Sequence, residues 1–143
     1  MKYFILPFHK AESLIADFVE NNHIPAMLDE EPVAVDWDYY REISESGNCY
    51  VTLAANQKGL CGVAGFQVTN DPNNIKMTEA ANVIFSMKEK NRHKTKEFLS
   101  ETKRMLKSIG VDKVSFTLCN EKIQRFLAMN GFAKQAVVME ASL

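Results

Sequence analysis

The fold of this chain is decided by residues 80–118, which read AANVIFSMKEKNRHKTKEFLSETKRMLKSIGVDKVSFTL. Residues 80–87 are apolar and strand-like, and a basic stretch follows them. Gly110 suits the end of a helix because glycine readily adopts a positive φ, and residues 114–118 form a second strand-like run. Between the two strands, residues recur at the spacing of one buried helix face: Phe98, Leu99, Thr102, Met105, Leu106 and Ile109. The stretch therefore predicts a strand, a crossover helix and a second strand.

The segments on either side extend this unit into a larger sheet. Residues 49–55 and 60–68 are strand-like and are joined by a short polar turn ending in Gly59, which predicts an antiparallel hairpin. The other predicted elements are strands at 3–6 and 133–139 and helices over 10–21, from Asp36 to Gly47 and from Asn120 to Asn130. The predicted order is β-α-α-β-β-β-α-β-α-β. It indicates one α/β domain over 1–143, with a mixed, mostly antiparallel sheet and helices on both faces.

The composition excludes several classes of protein. A chain of 143 residues with 46% hydrophobic and 24% charged residues is typical of one globular domain. The net charge of −1 gives no reason to expect a nucleic-acid partner. Because no apolar run approaches the roughly 18 residues of a membrane helix and the N-terminus lacks a signal-peptide pattern, we expect a cytoplasmic protein without a membrane partner.

The three cysteines, Cys49, Cys61 and Cys119, are widely spaced. They form no CxxC pair and have no histidine at metal-ligand spacing, so we expect neither a disulfide framework nor a metal site. Each lies among apolar neighbours, which favours buried free thiols.

Charge is unevenly distributed along the chain. Acidic residues dominate 29–46, where Arg41 is the only cation, and basic residues dominate 88–107. Each stretch is either a solvated face or a functional surface, and the pattern of charge leaves both interpretations open.

Residues 92–97 and 120–132 resemble two signatures of the GNAT superfamily of N-acetyltransferases, in the divergent style of members carried by bacteriophages. The first signature, Q/R-x-x-G-x-G/A, corresponds to RHKTKE, in which Arg92 is retained while Thr95 and Glu97 replace the glycines. The second signature is an asparagine, a helix with an aromatic residue and a Gly-Phe pair. It corresponds to NEKIQRFLAMNGF at 120–132.

The resemblance implies acetyl-coenzyme A (acetyl-CoA) as cosubstrate and no metal. The coenzyme's diphosphate would lie where the 92–97 loop opens its helix, because unpaired N–H groups and the helix dipole attract anions. Thr95 would cap this helix or bond the phosphate, and Glu97 would point outward or pair with Lys94 or Arg104. A basic helix start on a solvated face is the alternative. The implied coenzyme-binding residues are Phe85, Ser86, Met87, Arg92, His93, Lys94, Thr95, Lys96, Glu97, Asn120 and Phe126, the first three through backbone atoms.

The resemblance also implies direct acetyl transfer to an amine, either on a protein lysine or N-terminus or on a small molecule. Ala81 occupies the position of the family's usual glutamate base, so Glu79, two residues earlier on the same strand face, is the candidate base. Leu127 stands where the family has a tyrosine acid, so the departing thiolate would take its proton from water or another donor. The acceptor would bind near 29–46, where negative charge suits a cationic amine.

A second interpretation is a catalytically inactive protein of the same fold that acts as a binding or structural module. Thr95, Glu97 and Leu127 favour this module, whereas Arg92, Asn120 and the basic stretch favour the enzyme. We expect a monomer or a homodimer in either case.

Overall fold

A computed structural model describes residues 1–22, 35–71, 74–89, 91–117, 121–135 and 139–143. The elements, in chain order, are β1 (Lys2–Pro7), α1 (Phe8–Asn22), α2 (Trp37–Glu45), β2 (Cys49–Asn56), β3 (Gly59–Asp71), β4 (Asn74–Met87), α3 (Arg92–Ser108), β5 (Lys113–Ser115) and α4 (Glu121–Met129).

The five strands form one sheet in the order β1-β2-β3-β4-β5. Strands β1 to β4 pair antiparallel with their neighbours, and β5 pairs parallel with β4. Helix α3 makes the crossover that a parallel pair requires. The predicted mixed, mostly antiparallel sheet is confirmed, and so is the predicted order of elements up to the last helix.

The pairing between β4 and β5 is short. It joins Glu79 to Lys113, Ala80 to Val114 and Ala81 to Ser115. Strand β5 ends there, whereas β4 continues to Met87. Within the described ranges, the later part of β4 therefore has no strand partner on the β5 side. In the described part of the sheet this leaves a gap on the β5 side of β4, between Ala81 and the start of α3.

Two apolar clusters hold the helices against the two faces of the sheet. Helices α3 and α4 cover one face, whose largest buried residues include Phe66, Phe85, Phe98, Leu99, Leu106 and Leu127. Helices α1 and α2 cover the other, with Phe8, Ile15, Val51, Val63 and Ile84 among its buried residues. The α3 face predicted from spacing is buried at every position except Ile109, which is 40% exposed because it caps the helix.

Helices α3 and α4 end in the same hydrogen-bonded motif. After α3, Gly110 has a φ of 92°, its N–H donates to the Lys107 carbonyl, and the Val111 N–H donates to the Leu106 carbonyl. After α4, Gly131 has a φ of 87° and the Phe132 N–H donates to the Leu127 carbonyl. Glycine is needed at both positions because a Cβ atom disfavours this backbone conformation.

Lysine 103 joins the two helices at this end. The Lys103 Nζ donates to the Asn130 carbonyl at 2.8 Å and lies 4.5 Å from the centre of the Phe132 ring. The cation therefore satisfies a carbonyl at the end of α4 while it packs on an aromatic face.

The largest differences from the predictions concern β4, β5 and the predicted last strand. Strand β4 starts at Asn74, earlier than the predicted residue 80, and β5 ends at Ser115. Of the predicted last strand, residues 133–135 and 139 lie in no strand, and 136–138 are outside the described residues. Strand β4 starts earlier than predicted because β3 and β4 continue as a long hairpin through a polar stretch. Backbone pairing maintains the strands there without an apolar pattern. Over the described part of the chain, no helix is long and apolar enough to span a membrane.

Candidate functional site

The start of α3 is capped by Asn91. Its side-chain oxygen accepts hydrogen bonds from the backbone N–H groups of His93 at 2.9 Å and Lys94 at 3.3 Å. Thr95 donates both its N–H and its hydroxyl to the Asn91 carbonyl, each at 2.9 Å. The predicted 92–97 loop is therefore the first two turns of a helix, and the prediction that Thr95 caps it is wrong. Asparagine is among the most favoured capping residues, so Asn91 was recognisable from sequence.

This cap limits how an anion could bind at the helix start. Two of the N–H groups that a phosphate would contact already donate to the Asn91 carboxamide. A diphosphate would have to displace that side chain or rely on side-chain cations.

Three basic side chains lie together on one side of the first two turns of α3. Arg92, His93 and Lys96 are spaced so that they share a helix face. They line a cavity of about 190 Å³ together with Phe126, Met129 and Asn130 of the α4 end. Within the described residues, none of the three cations takes part in an ion pair. We call Arg92, His93 and Lys96 the α4-side cations. Four of the predicted coenzyme-binding residues therefore line one cavity: Arg92, His93, Lys96 and Phe126.

Lys94 and Glu97 line a different cavity, on the β1 side of the same two turns. Lys94 forms an ion pair with Glu89, and Glu97 accepts a hydrogen bond of 2.7 Å from the Tyr3 hydroxyl. Arg104 pairs with Glu101. Of the alternatives predicted for Glu97, the pairings with Lys94 and Arg104 are wrong, whereas its side chain is exposed, as the outward alternative expects. Sequence could not indicate the actual pairing because Tyr3 is 94 positions away.

Burial and the neighbouring carboxylate raise the pKa of Tyr3 well above its usual range. The neutral phenol can donate to Glu97, whereas a phenolate would face its negative charge. The Glu97 carboxylate is held toward β1 by this bond. Its charge is thus directed away from the α4-side cations, and the replacement of a glycine by Glu97 does not place an anion among them.

The edge of β4 that faces the gap offers backbone atoms to a ligand. Phe85 and Met87 are buried in the α3/α4 core, and the Phe85 ring lies 5.8 Å from that of Phe98. Ser86 pairs with Val63 of the other core and is fully buried. The predicted contact of residues 85–87 through backbone atoms stays a prediction.

A bulge interrupts β4 just beyond its last pair with β5. Gly65 is opposite Ile84 and Phe66 is opposite Asn82, so Val83 is the extra residue. The Asn82 Nδ2 donates to the carbonyl of Gly65 at 3.2 Å and to that of Ile84 at 2.9 Å. A bulge bends its strand and increases the local twist. The bend lies where the two strands separate.

Glu79 lies at the paired end of β4, opposite Thr69 on one side and Lys113 on the other. Its neighbour Ala80 is buried in the α3/α4 core, so Glu79 lies on the α1/α2 face. A hydrogen bond with Asp71 raises the pKa of Lys113, and the charge of Glu79 adds to the effect. A cationic substrate would compete with Lys113 for Glu79. The predicted role of Glu79 as base stays a prediction.

The α1/α2 face near Glu79 carries polar groups of α2 and β3. The Gln67 Nε2 lies 3.5 Å from the Tyr39 hydroxyl, and Gln67 pairs with Ala81. Asp36 caps α2, and Arg41 forms ion pairs with Glu12 and Asp38. Part of the acidity predicted for the acceptor region is therefore neutralised. Residues 29–34 are outside the described residues.

The remaining predictions concern a proton donor, an asparagine and the thiols. Leu127 is 3% exposed and packs in the core, and its aliphatic side chain has no proton to donate. Asn120 is outside the described residues. Burial raises the pKa of Cys49 to about 12. Cys61 is only partly buried, contrary to the expected buried thiol, and Cys119 is outside the described residues. Among the described residues, no group of three or more histidine, cysteine or acidic side chains could hold a metal ion.

Comparison with known proteins supports the fold of this chain. No protein-family model matches the chain, and no curated protein matches it. Among solved structures, one similar protein is a predicted acetyltransferase from Clostridium acetobutylicum, whose crystal structure contains acetyl-CoA. The two structures superpose with a TM-score of 0.69 at 12% sequence identity, and the alignment covers 99% of this chain and 95% of that one.

Two further structures are similar to a comparable extent. An aminoglycoside acetyltransferase from an uncultured soil metagenomic sample, in complex with sisomicin, gives a TM-score of 0.67 at 14% identity, with 99% of this chain and 95% of that chain covered. Glucosamine-6-phosphate N-acetyltransferase from Arabidopsis thaliana gives 0.63 at 11% identity and covers 99% of both chains. The chain therefore has the fold of the GNAT acetyltransferases, as its sequence predicted.

Proposed function

We propose that this protein is an N-acetyltransferase that uses acetyl-CoA as cosubstrate and transfers the acetyl group directly to an amine. One observation carries the proposal: in an acetyltransferase fold, β4 and β5 separate after Ala81 and Ser115, and the resulting gap leads to the start of α3. The α4-side cations stand there without internal anionic partners among the described residues.

The coenzyme's diphosphate would be held mainly by the side chains of Arg92, His93 and Lys96. Charge-assisted hydrogen bonds from such groups are stronger than neutral ones. Phe126 would offer an apolar wall on the other side of the same cavity. The pantetheine arm would run along the unpaired edge of β4 at 85–87, where backbone groups provide its hydrogen bonds.

The reaction would proceed in the gap. The amine nitrogen attacks the thioester carbonyl carbon, a C–N bond forms, the C–S bond breaks, and the thiolate of coenzyme A leaves. The proton lost by the amine passes to Glu79, directly or through water, and the thiolate is protonated by water because Leu127 cannot donate. Positioning of the two reactants supplies much of the rate in such a direct transfer.

The acceptor would carry an amine, either a protein lysine or N-terminus or a small molecule. The Tyr39, Gln67 and Glu79 region on the α1/α2 face would receive it, and Glu79 would attract its cationic form. Two of the similar structures are of acetyltransferases for aminoglycosides and for glucosamine-6-phosphate. Both names are consistent with a small amine acceptor.

The test is to titrate the protein with acetyl-CoA and to measure binding both by calorimetry and by the change in melting temperature. A ligand that binds only the folded state raises that temperature. Arg92→Ala should weaken binding by about tenfold or more, the usual effect of losing one charge-assisted hydrogen bond. Arg104→Ala removes the same charge farther along α3, where Arg104 pairs with Glu101, and should leave binding unchanged. Absence of any binding at millimolar acetyl-CoA would contradict the proposal.

A catalytically inactive module of the same fold is the second candidate. The Asn91 cap and the buried Leu127 favour it, because the first occupies helix N–H groups and the second replaces a proton donor. Release of free coenzyme A, measured with a thiol reagent during incubation with a panel of amines, separates the two candidates. Tight acetyl-CoA binding without any release would support the module.

A further inference from the structure

A second, larger cavity lies on the β1 side of α3, separate from the α4-side cations. Its volume is about 560 Å³, which is within the usual range for sites of small ligands. Strands β1 and β2, the β2–β3 turn, the end of β4 and the first two turns of α3 enclose it. We call it the β1-side cavity. The proposed acetyl transfer uses none of the side chains that line it.

The floor of the β1-side cavity is apolar. Ala54, Met87 and Phe98 are each at most 5% exposed, and the partly buried thiol of Cys61 lies beside them. The close packing beneath depends on Gly62, because a Cβ atom there would lie 3.0 Å from both the Met87 sulfur and the Phe98 ring. The floor is therefore a rigid apolar surface that suits a short hydrocarbon chain.

The rim of the β1-side cavity is charged, with a surplus of cations. Lys58, Lys88 and Lys94 line it together with Glu89 and Glu97. The two glutamates are engaged differently, since Glu97 accepts from Tyr3 whereas Glu89 is bound by Lys94. The hydrogen bond and charge of Lys94, with further contributions from Lys88 and Lys58, hold the pKa of Glu89 below its usual range. All three lysines thus act on one exposed carboxylate.

We propose that the β1-side cavity binds a small amphipathic anion, with its phosphate or carboxylate head among Lys58, Lys88 and Lys94 and its short apolar tail on the Ala54–Met87–Phe98 floor. Glu89 occupies the position of the head group in the free protein and is displaced by it. The side chain of Glu89 is exposed and lies in the short segment between β4 and α3, so it can swing away while the three lysines stay. A head group with two negative charges would compete best, because it brings more charge to the same three cations.

Cys61 supplies a local reporter of occupancy. It lines the β1-side cavity and is partly buried, whereas Cys49 is fully buried in the opposite core. The intact protein is treated with iodoacetamide, with and without hexyl phosphate, and alkylation is followed for each cysteine by peptide mass spectrometry. Millimolar hexyl phosphate should slow alkylation of Cys61 by about tenfold. Any slowing at the buried Cys49 reports the stabilisation that a bound ligand brings to the folded protein. Unchanged alkylation of Cys61 would overturn the proposal.

Three other compounds test the chemistry of the site. Hexanoate should protect Cys61 less strongly than hexyl phosphate, because it carries one negative charge. Hexanol lacks the head and inorganic phosphate lacks the tail, so both should protect weakly or not at all. Protection by hexanol equal to that by hexyl phosphate would overturn the role of the lysines, and equal protection by inorganic phosphate would overturn the role of the apolar floor.

Two variants test the part played by the rim. Lys58→Ala should raise the hexyl phosphate concentration for half-protection by about three- to tenfold, whereas Lys107→Ala at the other end of α3 should not change it. Glu89→Gln should lower that concentration, because the internal competitor loses its charge. Weaker protection in Glu89→Gln than in the unaltered protein would contradict the displacement. Acetyl-CoA is absent from these experiments, so their outcome is independent of the proposed acetyl transfer.

Discussion

The two sides of the first two turns of α3 carry cations in different electrostatic settings. On the α4 side, Arg92, His93 and Lys96 line a cavity, and none of the three forms an ion pair with a described residue. On the β1 side, Lys94 is paired with Glu89, and Glu97 is bound by Tyr3. One short basic sequence is thus divided by helix geometry into an open set of cations and a set that already has partners.

This difference changes the meaning of a basic run in sequence. Counted along the chain, the cations of 92–96 form one patch, and Glu97 reduces it. In three dimensions the Glu97 carboxylate accepts a hydrogen bond from Tyr3 and lines the other cavity, so it forms no ion pair with the α4-side cations. An anion recruited by either side meets a different local charge, and the two sides can therefore take different ligands.

The largest expected effect comes from reversing the same charge on each side. Lys96→Glu should weaken acetyl-CoA binding by roughly tenfold to a hundredfold, because it removes a cation from the α4 side and adds an anion. Lys94→Glu makes the same change two residues earlier on the β1 side and should alter binding by less than about threefold. Calorimetric titration of both variants measures the contrast. Equal losses would show that the two sides act as a single patch.

A smaller effect is expected from the cap. Asn91→Asp keeps a side chain that accepts from the N–H groups of His93 and Lys94 and favours the helix dipole, so the melting temperature should not fall. The new negative charge should weaken acetyl-CoA binding by about tenfold. Asn91→Ser caps without charge and serves as the control. Unchanged binding in Asn91→Asp would place the diphosphate away from the helix start.

The smallest effect concerns the pH dependence of the β1 side. The pKa of Tyr3 is raised in the folded protein, so its contribution to stability is present below the unfolded-state pKa of about 10 and is lost as pH rises above it. In Tyr3→Phe this loss disappears. The free energy of unfolding, measured in urea from pH 8 upward, should therefore fall less steeply with pH in Tyr3→Phe than in the unaltered protein.

Tyr50→Phe provides the matched control for that measurement. Tyr50 is a tyrosine of the neighbouring strand β2, and it lies outside the β1-side cavity. Comparing the two variants separates the contribution of Tyr3 from the general effect of removing a tyrosine hydroxyl. A slope in Tyr3→Phe identical to that of the unaltered protein would contradict the role of the Tyr3–Glu97 hydrogen bond.

Much of the fold could be predicted because its signals are local. The spacing from Phe98 to Leu106 predicted the buried face of α3, and Gly110 marked its end. The site could be predicted only in part. Helix spacing groups Arg92, His93 and Lys96, but the partner of Glu97 comes from β1 and carries no local signal. The Asn91 cap had a local signal, because asparagine is a favoured capping residue and Asn91 directly precedes the basic start of the helix.

The link made by Lys103 has a consequence for motion. Its bonds to the Asn130 carbonyl and the Phe132 ring tie the end of α4 to the middle of α3. We therefore expect the two walls of the smaller cavity, one on each helix, to open or close together. In native-state hydrogen exchange, the amides of α3 and α4 should lose protection as one cooperative unit, and Lys103→Met should separate them into two.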